Sequence, residues 1–146
     1  MAIRVRPLEH GDRKAWDGLF RNYIAFYRAL VTDSVIDLTW QRMMADPPGI
    51  CGLVAVDDEE RPVGFALVVF HLSTWSPTGY AYLEDLYVAP AVRGQGVGQA
   101  LIEAVYREAD ARGATRTYWV TEETNIVARR LYDRLAKRAG FVQYRR

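Results

Sequence analysis

The feature that most constrains the fold of this chain is a glycine-rich segment, Arg93-Gly94-Gln95-Gly96-Val97-Gly98. It follows an apolar strand pattern that ends at Pro90 and precedes an amphipathic helix pattern. Alternate glycines let the backbone approach a ligand closely and turn successive N–H groups into one concavity. The unpaired N–H groups of the following helix add to this anion site, which suits a pyrophosphate, and Arg93 can add a charge-assisted contact. The structural alternative is a turn that only packs helix against strand.

Two other phosphate-binding motifs are excluded by the spacing of these glycines. No Gly-Lys-Ser/Thr follows the segment, so it is not a Walker A loop. The pattern Gly94-x-Gly96-x-Gly98 differs from the Gly-x-Gly-x-x-Gly of dinucleotide folds, and it lies late in the chain rather than after the first strand.

The periodicity along the chain predicts one α/β domain over residues 1–146, with a mixed sheet flanked by helices. The predicted order is βααβββαβαβ. The predicted elements are a strand over 3–6, a helix from Asp12 to Leu30, a short helix over 38–44, strands over 53–56, 63–71 and 80–88, a helix from the glycines to about Arg112, a strand over 115–121, a helix from Thr124 or Asn125 to Gly140, and a strand over 141–145.

The composition narrows the class of protein. Lys and Arg number 19 against 18 for Asp and Glu, a net charge of +1 that gives no global attraction for nucleic acid or an anionic membrane. No apolar run reaches the roughly 20 residues of a membrane span, and the first residues lack the apolar core of a signal peptide. Cys51 is the single cysteine, which suits a cytoplasmic location. With two distant histidines, His10 and His71, it supplies no zinc ligand set, so no metal is expected.

Two spaced motifs carry a resemblance to a known family. Arg93-x-x-Gly96-x-Gly98 follows Leu86-Tyr87-Val88-Ala89-Pro90, and Asn125-x-x-Ala128-x-x-Leu131-Tyr132 follows the next strand. Together they resemble the acetyl-CoA signatures of the GNAT superfamily of N-acetyltransferases. The resemblance implies a mostly antiparallel sheet, pyrophosphate binding by the glycine loop, and pairing of the pantetheine arm with the strand backbone. It implies the following acetyl-CoA-binding residues: Leu86, Tyr87, Val88, Arg93, Gly94, Gln95, Gly96, Val97, Gly98, Gln99, Asn125, Ala128 and Tyr132.

The resemblance also bears on the acceptor. The run Tyr82-Leu83-Glu84-Asp85-Leu86-Tyr87-Val88 resembles the diamine acetyltransferases, and the C-terminal residues resemble a histone, polyamine and amino-acid branch. The expected acceptor is the primary amine of a small molecule, such as a polyamine or an amino acid. One alternative is that the acceptor is a lysine or the N-terminus of a protein. The other is that the chain is a regulatory module that binds acetyl-CoA without catalysis. Gly140-Phe141 comes eight residues after Tyr132, later than in many relatives, which implies an extra helical turn.

Three side chains are candidates for acid–base chemistry. A tyrosine holds its proton at neutral pH and can give it to a departing thiolate, and the family assigns this role to Tyr132. An alkyl ammonium must lose a proton before it attacks. Glu84 is the preferred base or acceptor anchor, because its alternation with Tyr82 and Leu86 predicts partial burial; Asp85, on the opposite face, is the second choice. An ion pair with arginine is the alternative for both carboxylates.

Other positions complete the sequence-based account. Tyr27 is expected to line the acceptor pocket, while Glu122 and Glu123 either bind a cationic acceptor or are solvated. Cys51 and the histidines form no nucleophile arrangement, which favours direct transfer in a ternary complex. A homodimer is expected, because a short last strand would leave a sheet edge exposed.

Overall fold

The computed structural model describes residues 2–146, which form a five-stranded sheet in the order β1-β2-β3-β4-β5. The pairs from β1 to β4 are antiparallel, whereas β4 and β5 are parallel. The strands are β1 (Arg4–Pro7), β2 (Cys51–Val56), β3 (Pro62–His71), β4 (Tyr80–Val88) and β5 (Arg116–Tyr118), and the helices are α1 (Arg13–Phe26), α2 (Asp33–Met44), α3 (Val97–Ala111) and α4 (Ile126–Leu135).

The helices cover the two faces of the sheet and create two apolar cores. On one face, α3 packs Val97, Leu101 and Val105 against Leu53 and Leu83 of the strands. On the other face, α1 and α2 pack against the alternate strand residues, and this second core contains Trp16, Phe20, Ile36, Trp40, Met43, Val54, Val56, Phe65, Leu67 and Tyr87. The period-two alternation of each strand supplies both cores, since successive side chains point to opposite faces.

Local signals fix where the helices begin. The side chain of Thr32 accepts a hydrogen bond from the N–H of Val35 and caps α2. Gly96, in the left-handed region at φ +81°, precedes α3. Asp12 precedes α1 as expected, but its carboxylate does not cap that helix. It accepts instead from the Arg6 guanidinium at 2.8 and 3.0 Å and from the N–H of Glu9.

The fold class predicted from the sequence is confirmed: the sheet is mixed and mostly antiparallel, with helices on both faces. The last strand, predicted over 141–145, is wrong, because these residues form no regular structure. α4 also ends at Leu135, earlier than the predicted Gly140. The reason is a lack of partners: β5 ends at Tyr118, and the side chains of Phe141 and Tyr144 are 90% and 92% exposed.

The first helix ends earlier in the chain than its apolar periodicity predicts. α1 ends at Phe26, and Arg28 adopts a positive φ of 54° that no helix can continue. Leu30, which the sequence places on the apolar face of the helix, is fully exposed. Among residues 2–146, no helix combines the length and the apolar character needed to cross a membrane.

Candidate active site

The site lies where β4 and β5 separate. The two strands pair only through Tyr80, Ala81 and Tyr82 of β4, whereas β3 stays paired with β4 as far as Val88. The edge of β4 from Leu83 to Val88 that faces away from β3 therefore has no neighbouring strand. An unpaired strand edge presents N–H and C=O groups to which an extended ligand can bind as a further strand. Leu86, Tyr87 and Val88, the positions implied for the pantetheine arm, lie on this edge.

The glycine loop is open at the end of the same strand. Among the described residues, the backbone N–H groups from Gly94 to Gln99 have no hydrogen-bond acceptor, and the first loop or helix bond beyond them runs from Ala100 to Gly96. Gly94 and Gly96 have φ angles of +79° and +81°, and a Cβ at either would meet no atom within 4 Å. Six free N–H groups, clear space above the glycines and the positive end of a 15-residue helix fit a pyrophosphate.

Gly98 differs from the other two glycines of the loop. A Cβ at Gly98 would stand 3.0 Å from Cδ2 of Leu131 and 3.9 Å from Cγ2 of Val88. The lack of a side chain therefore lets the first turn of α3 approach α4 and β4 closely. The buried side chain of Val97 anchors the same turn in the core, and the Gln99 amide donates to Glu103 at 3.0 Å.

The side chain of Arg93 contacts the end of β4. Its Nε donates to the carbonyl of Val88 at 3.0 Å. Its guanidinium carbon lies 5.6 Å from the ring centre of Tyr87 and 5.9 Å from that of Phe26 at the end of α1. Arg93 thus joins the strand end to α1, and its charge stands beside the glycine loop.

Tyr132 lies in a small cleft at the opening between β4 and β5. Burial, reinforced by the nearby Tyr27, raises the pKa of Tyr132 to about 12. Its ring meets Trp119 edge to face at 5.4 Å. The cleft is lined by Tyr23, Tyr27, Leu83, Glu84, Leu86, Trp119, Val120 and Tyr132. The phenol is therefore a protonated donor at neutral pH, at the place where the free edge of β4 ends.

The other residues of the second motif position the helix that carries Tyr132. Asn125 is the N-cap of α4, and its side-chain oxygen accepts from the N–H of Ala128 at 3.3 Å. Capping of this kind satisfies one of the free N–H groups at a helix start. The spacing from Asn125 to Tyr132 is about two helical turns, so the cap fixes the start of the helix and, two turns on, the phenol in the cleft.

A β-bulge separates the two carboxylates of β4. Asp85 pairs with Leu67 and Leu83 pairs with Val68, so Glu84 is an extra residue in the ladder. Because of the bulge, Glu84 does not follow the alternation, and the expected partial burial is wrong: the side chain is exposed while it lines the cleft. Bulges commonly lie beside active sites, where they redirect a side chain.

Asp85 is half-buried and so is the less exposed member of the pair. Burial raises its pKa to about 6, whereas the nearby Tyr23 hydroxyl lowers it and the charge of Glu84 raises it. Such a carboxyl is mostly ionised at pH 7 and becomes protonated as the pH falls through about 6. This pKa lies near the operating pH, which favours a general base. Neither carboxylate forms an ion pair with arginine among the described residues.

The remaining candidates divide between the cleft and the surface. Tyr27 lines the cleft, and burial, then Glu122 and Asp85, raise its pKa; a role in acceptor binding stays a prediction. Glu123 is exposed and contacts Arg138 at 3.4 Å. Cys51 is buried, and burial, reinforced by Glu108, raises the pKa of its thiol, which opposes a nucleophilic role. Within residues 2–146, no group of three His, Cys, Asp or Glu side chains can hold a metal.

Four residues that line the cleft were not among the predicted site residues: Tyr23, Leu83, Trp119 and Val120. The periodicity of α1 places Tyr23 among core positions, and its ring does pack against Phe65 and Tyr87. The same side chain also lines the cleft, and no sequence pattern indicates this. Trp119 lies just after β5, where the strand pattern gives no sign that the chain leaves the sheet.

Comparisons with known proteins agree with this geometry. The sequence profile of the acetyltransferase (GNAT) family matches residues 16–136. The chain is 35% identical over 145 residues to the D-amino-acid N-acetyltransferase HPA3 of Saccharomyces cerevisiae, covering 99% of this chain and 90% of that protein. It is 38% identical over 73 residues to thialysine N-epsilon-acetyltransferase of Bos taurus, 50% of this chain and 42% of that protein. A crystal structure of a probable acetyltransferase superposes with a TM-score of 0.86 at 25% identity, over 97% of this chain and 95% of the other.

Proposed function

Because the chain belongs to the GNAT family of acetyltransferases, we propose that it transfers the acetyl group of acetyl-CoA to the primary amine of a small molecule. One observation carries this proposal: the free edge of β4 ends in a cleft lined by the half-buried phenol of Tyr132 and by Glu84, with Asp85 next to Glu84 in the strand. Amide formation from a thioester needs a proton acceptor for the amine and a proton donor for the thiolate, and both kinds of group are present.

The chain's own groups account for the binding of acetyl-CoA. In this proposal, the free N–H groups from Gly94 to Gln99 hold the pyrophosphate, with Arg93 beside them. The backbone from Leu86 to Val88 pairs with the pantetheine arm. The acetyl thioester then lies in the cleft between Leu86 and Tyr132. Asn125 and Ala128 act indirectly, because they set the start of α4.

We assign the proton transfers from the burial and exposure of the three side chains. Asp85 is assigned as the base, because its raised pKa suits removal of a proton from an ammonium near neutral pH. Glu84, exposed at the cleft, is assigned to attract and hold the ammonium. Tyr132 donates to the thiolate as the carbon–sulfur bond breaks. The amine attacks the thioester directly, because no activated nucleophile lies in the cleft.

The charges around the cleft support a small amine, especially one with a second cationic group. Glu84 lines the cleft, Asp85 is its neighbour in β4, and the influence of Glu122 on Tyr27 places a third carboxylate nearby. Two of the related proteins act on D-amino acids and on thialysine, which are small amines. We therefore propose a polyamine or an amino acid as the acceptor, with a protein lysine or N-terminus as the second candidate.

A thiol-release assay across an amine panel tests the function. The panel contains polyamines, L- and D-amino acids, lysine analogues, a lysine peptide and a peptide with a free N-terminus, each with acetyl-CoA. We expect release with at least one small amine and little with either peptide. Thiol release only with the peptides would indicate a protein acetyltransferase instead. Binding of acetyl-CoA without release by any amine would indicate a regulatory module.

We predict that the protein is a homodimer. β5 pairs through only three residues at the edge of the sheet, and the exposed apolar side chains Phe141, Val142 and Tyr144 lie in the segment after α4. A sheet edge and an apolar segment left open favour association, because both gain by burial. Light scattering at micromolar protein should give twice the mass of one chain. A monomer, with and without acetyl-CoA, would contradict this prediction.

Two expectations about the chain as a whole stay predictions. We propose that residues 1–146 form one domain, which the single shared sheet supports. We also propose a cytoplasmic location, because the only cysteine, Cys51, is buried as a free thiol, and this suits a reducing compartment.

A further inference from the structure

His71, the last residue of β3, and Tyr118, the last residue of β5, are joined across the strand between them. Nε2 of His71 lies 2.7 Å from the Tyr118 hydroxyl, and Nδ1 lies 2.7 Å from the carbonyl oxygen of Leu72. A carbonyl can only accept, so Nδ1 of the neutral ring carries the proton and Nε2 accepts from the Tyr118 O–H. Both nitrogens of the ring are therefore hydrogen-bonded, which fixes its orientation.

Tyr118 is also the last residue that pairs β5 with the sheet. It lies opposite Tyr82, and the centres of the two rings are 4.8 Å apart. β5 pairs through only three residues, and beyond Tyr118 the chain leaves β4 and opens the cleft, which Trp119 and Val120 line. The hydrogen bond to His71 thus holds β5 at the point where it separates from β4.

Trp119 links this point to the proposed acid. It follows Tyr118 directly and packs on the side of the sheet that α3 covers. Its ring meets that of Tyr132 edge to face at 5.4 Å and lies 6.3 Å from the ring of Tyr106 in α3. A movement of the end of β5 would therefore move the ring against which the Tyr132 phenol rests.

We propose that His71 and Tyr118 are positioning residues, which hold the end of β5 so that Trp119 keeps the Tyr132 phenol facing the thioester. The inference rests on the proposed function and adds to it two residues that lie outside the cleft. A small displacement of a reacting group lowers the rate steeply, so loss of the bond should lower kcat. Binding of acetyl-CoA should not change, because the glycine loop follows the opposite end of β4.

Two substitutions of His71 separate its two hydrogen bonds. A glutamine amide reaches about as far as Nε2 and can accept from Tyr118, whereas an asparagine amide reaches only about as far as Nδ1. His71→Asn should lower kcat by about tenfold, as much as the loss of one such hydrogen bond accounts for, with the KM for acetyl-CoA unchanged. His71→Gln should recover most of the rate. Both variants lose the ring, so each controls for its packing in the other.

Tyr118→Phe removes the same bond from the other strand. It should lower kcat as His71→Asn does, and the double variant should be no slower than the slower single variant, because the two residues form one contact. Tyr80→Phe is the control and should keep the kcat of the wild type. The Tyr80 ring lies 5.7 Å from that of His71 and 6.1 Å from that of Tyr118, but its hydroxyl takes no part in their bond.

The indole N–H signal of Trp119 in an NMR spectrum gives a readout that needs no turnover. The chain has four tryptophans, and Trp119→Phe assigns the signal. In His71→Asn and Tyr118→Phe this signal should shift or broaden, while those of the other three tryptophans stay in place. In His71→Gln and Tyr80→Phe all four signals should stay close to their wild-type positions.

Equal values of kcat in His71→Asn and His71→Gln would overturn the proposal, because the bond to Tyr118 would then have no effect. Losses that multiply in the double variant would give the two residues separate roles. If His71→Asn fails to fold, Tyr118→Phe is compared with Tyr80→Phe, and equal kcat with an unmoved Trp119 signal would refute the proposal. Failure of the wild type with every amine would instead refute the proposed function, and an unmoved Trp119 signal would still refute the role of the bond.

Discussion

Replacement of Tyr132 by phenylalanine should lower kcat by roughly 10²–10⁴-fold, the usual span for the loss of a general acid. The ring would keep its edge-to-face contact with Trp119 and its place beside Leu86. Acetyl-CoA affinity should therefore be close to that of the wild type. A fall in kcat and in kcat/KM together is the mark of an interaction made only in the transition state. Initial rates of thiol release, with acetyl-CoA affinity measured by calorimetry, check both parts.

Tyr106→Phe is a matched control for this variant. The Tyr106 hydroxyl donates to the carbonyl of Leu135 at the end of α4, at 2.8 Å. The substitution removes a hydroxyl that supports the same helix, and it should lower the free energy of unfolding by about 1 kcal/mol without lowering kcat. Full activity in Tyr132→Phe would remove the phenol as the acid. Equal losses in both variants would show that the effect comes from a disturbed α4.

Gly96→Val should abolish binding of acetyl-CoA. Gly96 has a φ of +81°, which a β-branched residue rarely adopts, and a valine would also fill the open space above the loop. At acetyl-CoA a hundredfold above its dissociation constant, the wild type should gain about 2.7 kcal/mol of stability. The variant should gain none, and thermal unfolding with and without acetyl-CoA measures the difference.

Gly113→Val separates backbone strain from loss of the site. Gly113 has a similar φ of +70° but lies beyond the opposite end of α3. We expect this control to lower the unfolding temperature as Gly96→Val does, while it still gains stability from acetyl-CoA. If Gly96→Val is stabilised by acetyl-CoA as much as the wild type, the pyrophosphate does not lie over this loop.

The parts of the fold that could be predicted are those in which one segment carries its own signal. β4 was predicted over residues 80–88 and is observed at Tyr80–Val88, because alternation runs through it and Pro90 ends it. The start of α3 follows from the glycines. The segment after α4 could not be predicted, because Phe141 to Arg145 alternates like a strand but finds no partner. Strand propensity shows that residues fit a sheet, and pairing depends on residues far away in the chain.

For the candidate site, the sequence motifs locate the glycine loop and Tyr132, because their spacing places the loop before one helix and the tyrosine on the next helix. The positions of the two carboxylates could not be predicted. The bulge that leaves Glu84 exposed and Asp85 half-buried depends on the register between β3 and β4, and register cannot be read from one strand. Tyr23 follows the core periodicity of α1, which gives no sign that its side chain also lines the cleft.

In the proposed reaction, one cleft holds the thioester and the amine together, and the acetyl group passes directly between them. Steady-state thiol release by the wild type, with the concentrations of acetyl-CoA and of the best small amine both varied, distinguishes this direct transfer from a covalent acyl-enzyme. A ternary complex predicts double-reciprocal lines that intersect and no thiol release before the amine is added. Parallel lines, with a burst of thiol and an acetylated protein in the absence of amine, would contradict the account.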